Sequence, residues 1–268
     1  MTVRDILNKK KKKQRIVVVT AYDYPIASMA DEAGVDVILV GDSLANVILG
    51  LNSTRDVGMK EMLHHTKAVV RAVKNALVVG DMPYEAYQKN PKMALSNAKR
   101  FMDAGCGAVK LEWFEGCLEI TQRIIQAGIP VMGHVGLTPQ TAKEMKVQGK
   151  DAVAAGKIVE QAQALQGKGV FSVVLECVPK ELAAIVSKKL KIPTIGIGAG
   201  KHCDGQVLVS YDLLGLFNRY QPKFSKKYLD LSPMIIDAFK KYKKDVLLSR
   251  FPDDAHSFHM LPQEFKKL

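Results

Sequence analysis

A chain of 268 residues, 47% hydrophobic and 25% charged, has the size and balance of a folded protein with one large core, which excludes a disordered or fibrous chain. No apolar stretch approaches the roughly 20 residues that cross a bilayer, and no apolar core follows the N-terminal lysines, so neither a membrane span nor a secretory signal is expected. The net charge of +12 draws five positive charges from the block Lys9 to Lys13; a solvated helix end or tail accounts for that block, and a nucleic-acid surface would bring arginines and stacking aromatics that do not accompany it.

The chain opens with a predicted helix from Val3 to about Lys13. Strand-like and helix-like segments then alternate. Strands are predicted at 15–20, 35–41, 76–80, 108–112, 130–134, 170–176, 193–198 and 206–210, and helices near 24–33, 59–74, 91–104, 117–127, 151–167 and 179–190. Gly34, Gly105 and Gly128 stand where helix C-caps are expected. A helical segment at about 231–248 and a polar tail close the chain. Alternating β and α elements with crossover-length connections imply a parallel sheet. Eight strands in about 200 residues suit a closed (β/α)8 TIM barrel, an α/β fold. A doubly wound sheet would want a glycine-rich turn after the first strand, where TAYDYP stands instead. Only Ala199 to Gly205 separate the last two strands, so a turn must replace a full helix there. No linker or repeat marks a second domain: 1–268 reads as one barrel domain, with 1–14 a basic helix or tail and 249–268 a tail.

Four of the apolar runs end on a carboxylate: VILVGD at Asp42, LVVGD at Asp81, VKLE at Glu112 and VVLE at Glu176. Runs this rich in β-branched residues read as strands buried on both faces. In a barrel such strand ends meet at one C-terminal mouth, where active sites lie. Three acids on successive strands (Asp42, Asp81, Glu112) form a hard-oxygen set suited to Mg²⁺. Capping or loop hydrogen bonds would account for each acid singly, and Glu115 and Glu119 compete with Glu112. Glu176 ends a notably hydrophobic strand, where partial burial suits a general base near neutrality; capping of the helix at Pro179 is the other reading. Lys110 shares a strand face with Glu112 by the two-residue alternation and needs an anion there, either a substrate carboxylate or a neighbouring acid. His134 ends the fifth strand, where a structural role is as open as a catalytic one. His64 and His65 read as surface or packing residues. GIGAG at 196–200 fits a phosphate cradle or a tight turn. Cys106, Cys117, Cys177 and Cys203 form no metal spacing, and reduced thiols in a cytoplasmic protein are expected.

Taken together, TAYDYPIA (20–27), VGDSLANVILG (40–50), DMPY (81–84), AVKLE (108–112), GHVGLTPQ (133–140), KVQGK (146–150), LECVP (175–179) and GIGAG with DGQVLV (196–209) resemble the ketopantoate hydroxymethyltransferase family. PKFSKKYL (222–229) and FPDDAHSFH (251–259) extend the resemblance almost to the C-terminus. It implies a (β/α)8 barrel that transfers a one-carbon unit from 5,10-methylenetetrahydrofolate, a cosubstrate, to 3-methyl-2-oxobutanoate. The products are 2-dehydropantoate and tetrahydrofolate, in pantothenate and coenzyme A biosynthesis. Carried onto matching positions, it places Asp42, Asp81 and Glu112 at a Mg²⁺ ion and Asp42, Ser43, Asp81, Lys110 and His134 at the keto acid. Glu176 becomes the base that forms a Mg²⁺-stabilised enolate. It also implies a cytoplasmic homodecamer, a pentamer of dimers, with neither nucleic acid nor membrane as partner.

Two features depart from the family pattern. Trp113-Phe114 stand where many relatives carry a glycine pair, and only residues 141–145 join GLTPQ to KVQGK. The competing readings are another Mg²⁺-dependent 2-keto-acid lyase or mutase of the phosphoenolpyruvate mutase-like barrels, a basic nucleic-acid binder and an inactive paralogue.

Overall fold

Residues 1–142 and 144–268 are described by a computed structural model; Lys143, in the short 141–145 connection, lies outside the described residues. The strands are β1 (Ile16–Thr20), β2 (Val37–Val40), β3 (Leu77–Asp81), β4 (Ala108–Glu112), β5 (Val131–Gly136), β6 (Ser172–Glu176), β7 (Thr194–Ile197) and β8 (Gly205–Leu208). All neighbours pair in parallel, and β8 returns to β1 through Ile16 opposite Gly205 and Val19 opposite Leu208, so the sheet closes as a barrel. The expected (β/α)8 architecture is the one observed.

Strand alternation divides the apolar residues between two cores. Val18, Val37, Leu39, Val79, Met132 and Val174 fill the barrel interior. Residues such as Ile38, Val78, Leu111 and Leu175 pack outward against helices that include Met59–Ala72, Pro91–Asp103, Cys117–Gln126 and Ala152–Gly167. Helix starts carry their own signals: Asp23 accepts from the Ile26 N–H, Asn90 from Lys92 and Met93, and Asp151 from Ala154. Gly105 follows the helix Pro91–Asp103 at φ 100°, and a Cβ there would stand 2.6 Å from Val70 Cγ1, so both backbone and packing demand glycine.

The first helix, Val3–Lys11, opens with a capping box between Thr2 and Asp5. Its Ile6 is fully buried with the inner core, so this helix seals the end of the barrel opposite the mouth. Lys9 and Lys10 correct the solvated reading of the lysine block. Lys9 Nζ lies 2.5 Å from Asp36 Oδ1, and Lys10 Nζ lies 2.8 Å from Asp204 Oδ2 and 2.9 Å from Ser187 O. Lys11, Lys12 and Lys13 are exposed, as expected of a solvated end.

Between β7 and β8 the chain makes a turn without a helix, and Gly198 and Gly200 sit at φ 63° and 75°. That gives the GIGAG segment its tight-turn reading. After β8 only a short helical turn, Ser210–Leu213, follows before the helix Leu231–Leu247. The latter buries none of its residues, leaving Met234, Ile236, Phe239 and Tyr242 exposed. Among the described residues no helix is long and apolar enough to cross a membrane.

Candidate active site

The sequence positions singled out for chemistry converge on the C-terminal mouth of the barrel. Asp81 and Glu112 are the last residues of β3 and β4, and Asp42 follows β2 after Gly41. Parallel register sets Lys110 beside Asp81, His134 beside Glu112, and Glu176 beside Gly136. Asp42, Asp81, Lys110, Glu112 and His134 are all buried, while the Glu176 side chain keeps 18% of its surface exposed. Glu115 and Glu119 are exposed, so of the three neighbouring acids Glu112 is the one inside the barrel.

Lys110 pairs with a neighbouring acid. Its Nζ donates to Asp81 Oδ1 at 2.8 Å and Oδ2 at 2.7 Å, and lies 3.8 Å from Glu112 Oε1. Asp81 Oδ2 also accepts the Asp42 N–H at 3.3 Å. Burial raises the Asp81 carboxyl to about 7 against the pull of Lys110. Burial would lower Lys110, but Asp81 and then Glu112 and Asp42 hold its pKa above the ordinary lysine range. With Nζ gripping both oxygens, the ammonium–carboxylate form of the pair is the one that this geometry favours. Asp42 is also raised, first by burial and then by Glu112 and Glu176, against the counter-pull of Lys110 and Gln140.

His134 lies between two acids. Nδ1 is 3.4 Å from Glu112 Oε1 and Nε2 is 3.3 Å from Glu176 Oε2, ion-pair distances without hydrogen-bond alignment. Burial disfavours its charge, but Glu112 and then Glu176 outweigh that and push the imidazole up to about 9. Ser43 starts the helical turn Leu44–Val47 and shares a 2.8 Å hydrogen bond with the buried Tyr22 hydroxyl. His65 is held by the Tyr22 carbonyl at 2.6 Å and His64 is exposed, which agrees with their packing and surface reading.

Four carboxylates therefore face one lysine and one histidine in a largely buried space. That imbalance suits a divalent cation, because unpaired buried charge is costly. Among the described residues no three His, Cys, Asp or Glu side chains are grouped so as to hold a metal ion by themselves. A cation held here would take the rest of its shell from substrate or water.

Tyr87, Gln140 and Asp212 at the mouth escape sequence reasoning. Tyr87 and Gln140 are buried among the acids, and Tyr87 accepts the Glu112 N–H at 3.2 Å. Asp212, beyond β8, is buried enough to be raised to about 6. Trp113 and Phe114 leave Glu112 in place: the Trp113 N–H donates to His134 O at 2.9 Å, and the Phe114 ring packs 5.6 Å from that of Tyr87.

Comparison with known proteins identifies the family and the fold. The model of the family described as ketopantoate hydroxymethyltransferase matches residues 1–254. A 3-methyl-2-oxobutanoate hydroxymethyltransferase of Syntrophomonas wolfei is 51% identical, over 100% of this chain and 99% of its own. One of Carboxydothermus hydrogenoformans is 49% identical over the same shares. Among solved structures, phosphonopyruvate hydrolase in complex with oxalate and Mg++ superposes with a TM-score of 0.64 at 13% identity, over 96% of this chain and 93% of its own. A 2,3-dimethylmalate lyase of the PEP mutase/isocitrate lyase superfamily gives 0.58 at 14% identity, over 100% and 94%; both likenesses concern the fold. On the strength of the family match and of relatives half identical over its whole length, this chain belongs to the ketopantoate hydroxymethyltransferase family.

Proposed function

We propose that the chain transfers a one-carbon unit from 5,10-methylenetetrahydrofolate to 3-methyl-2-oxobutanoate, giving 2-dehydropantoate and tetrahydrofolate. The observation that carries the reading is the gathering of four carboxylates, one lysine and one histidine at one mouth in a chain of this family. Asp42, Asp81 and Glu112 gather with Lys110 on one side, and Glu176 stands across His134 with its side chain partly exposed.

In this reading Asp42, Asp81 and Glu112 hold Mg²⁺, which supplies the positive charge that polarises the 2-oxo acid. Lys110, with Asp42, Ser43 and Asp81, receives the keto acid, its ammonium turning from Asp81 toward the substrate carboxylate. Glu176 removes the C3 proton as general base. His134, charged between Glu112 and Glu176, orients the base and borders the substrate. Water cleaves the C–N bonds of the folate methylene bridge, so that tetrahydrofolate leaves with the protons and the one-carbon unit is freed at the oxidation level of formaldehyde. The activated C3 attacks that carbon, and its oxygen takes a proton to become the hydroxymethyl group.

The reading extends to assembly and place. Self-association is supported by the exposed apolar residues of Leu231–Leu247, which a second subunit would cover, and the family reading makes the assembly a homodecamer, a pentamer of dimers. Four free cysteines are in keeping with the reducing cytoplasm.

The test is NMR of the C3 proton of 3-methyl-2-oxobutanoate in D₂O with Mg²⁺ and no folate. Exchange is expected, suppressed by EDTA and abolished in Glu176→Gln. Equal exchange in wild type and variant would remove Glu176 from the role of base. Methylenetetrahydrofolate should then yield 2-dehydropantoate; exchange without that product points to a lyase instead.

A further inference from the structure

Gln140 lies in the loop after β5, has no charge, and is fully buried. Every polar group it owns is engaged. Its backbone N–H donates to Glu112 Oε2 at 3.0 Å, and its side-chain Nε2 donates to Asp42 Oδ2 at 2.8 Å and to Met82 O at 3.1 Å. Its Oε1 accepts from the Tyr87 hydroxyl at 2.6 Å, and its carbonyl accepts from Arg55 Nε. The Tyr87 oxygen in turn accepts the Glu112 N–H at 3.2 Å.

This network leaves one orientation for the amide. Turned over, it would set Oε1 against a carboxylate and a carbonyl, acceptor against acceptor, and would leave the Tyr87 hydroxyl facing an N–H. Only an amide fits both ends: a carboxylate would repel Asp42, and an apolar side chain would orphan three buried polar groups. Gln140 thus ties the strand-end acids Asp42 and Glu112 to each other, and joins the loops after β2 (Arg55) and β3 (Met82, Tyr87) over them. It takes Oδ2 of Asp42 and Oε2 of Glu112. Glu112 Oε1 is left facing Lys110 and His134, and among the described residues Asp42 Oδ1 has no hydrogen bond.

We propose that Gln140, held by Tyr87, is a positioning residue that sets the separation and the free oxygens of Asp42 and Glu112 for a divalent cation. The inference rests on the proposed function, since it assumes that these two acids share a cation. Partners behind metal ligands typically contribute about 10–100-fold to metal affinity.

The experiment titrates the full-length protein with Mn²⁺ by EPR, alongside its thermal midpoint without metal and its C3-proton exchange over a Mg²⁺ series. Gln140→Met, close in volume, should bind Mn²⁺ about 10–100-fold more weakly. Its exchange should recover as Mg²⁺ rises, a recovery that a merely structural lesion would not show. Tyr87→Phe keeps the ring and should shift affinity the same way by a smaller factor, and it decides the matter if Gln140→Met does not fold. Mn²⁺ affinity within twofold of wild type in the folded variants overturns the assignment. Wild type that binds Mn²⁺ but exchanges no proton overturns the proposed reaction and leaves Gln140 to be judged on affinity alone. Wild type that binds no Mn²⁺ overturns both.

Discussion

His134 Nε2 stands 3.3 Å from Glu176 Oε2, while its other nitrogen reaches Glu112 at 3.4 Å. One imidazole therefore joins the acid proposed as base to an acid proposed at the metal. In metal-free protein the charge on that ring stabilises the fold. The folded pKa of about 9 lies above the usual value near 6.5, because the pull of Glu112 and Glu176 exceeds the cost of burial. The contribution is complete below about pH 6.5 and fades as pH rises through 9, amounting at most to roughly 3 kcal/mol. In EDTA, the difference in thermal midpoint between wild type and His134→Gln should be largest near pH 6 and gone by about pH 10. A difference that grows with pH would reverse the assignment.

Lys110 supplies a second prediction. Its ammonium sits on both oxygens of Asp81 in a buried place, and removing one member of such a pair typically costs about 3–5 kcal/mol. Lys110→Met leaves four acids with only His134 opposing them. The variant should lose about that stability in EDTA and gain more than wild type from added Mg²⁺, because the cation then offsets more uncompensated charge. Thermal midpoints with and without Mg²⁺ make the comparison. A Mg²⁺ gain no larger than that of wild type would mean that the cation does not share the Lys110 acids.

How much of this was legible in the sequence depended on range. The strands announced themselves through local β-branched runs, and their acids through position at the run ends. Two-residue alternation already put Lys110 and Glu112 on one face. The short turns Leu44–Val47 and Ser210–Leu213 are below the length at which helical periodicity can register. Gln140 meets Asp42 across 98 positions of sequence, and Lys10 meets Asp204 across 194. Neither partner leaves a local trace, because an amide in a loop and a lysine in a lysine block look the same whether paired or solvated. Closure of the barrel creates both contacts.

That distinction within the lysine block can be measured. Lys9 pairs with Asp36, whose other oxygen accepts the Val17 N–H at 2.9 Å, so the pair fastens the N-terminal helix to β1. Lys12 is exposed. Lys9→Met should lower stability by about 1–3 kcal/mol, the range for a hydrogen-bonded charge left without its partner. Lys12→Met should stay within about 0.5 kcal/mol of wild type. Equal small effects by thermal denaturation would return Lys9 to the solvated class.

Asp31 offers a test far from the mouth. The carboxylate is 6% exposed and accepts the backbone N–H groups of Lys74, Asn75 and Ala76 and the Asn75 side chain, tying the helix Tyr24–Glu32 to the chain entering β3. Burial alone would raise its pKa, but the N–H groups of Ala76, Lys74 and Asn75 outweigh that and hold it below the usual carboxylate value. Its stabilisation is therefore complete above the unfolded value near 4, and is lost as pH falls through the lower folded pKa. Asp31→Asn exchanges one acceptor oxygen for a donor that faces N–H groups, and should lose about 2–3 kcal/mol at pH 7. The gap from wild type should narrow below about pH 4, while C3-proton exchange per folded molecule stays the same. A gap unchanged between pH 7 and pH 3 would mean that the ionised carboxylate is not what holds this junction.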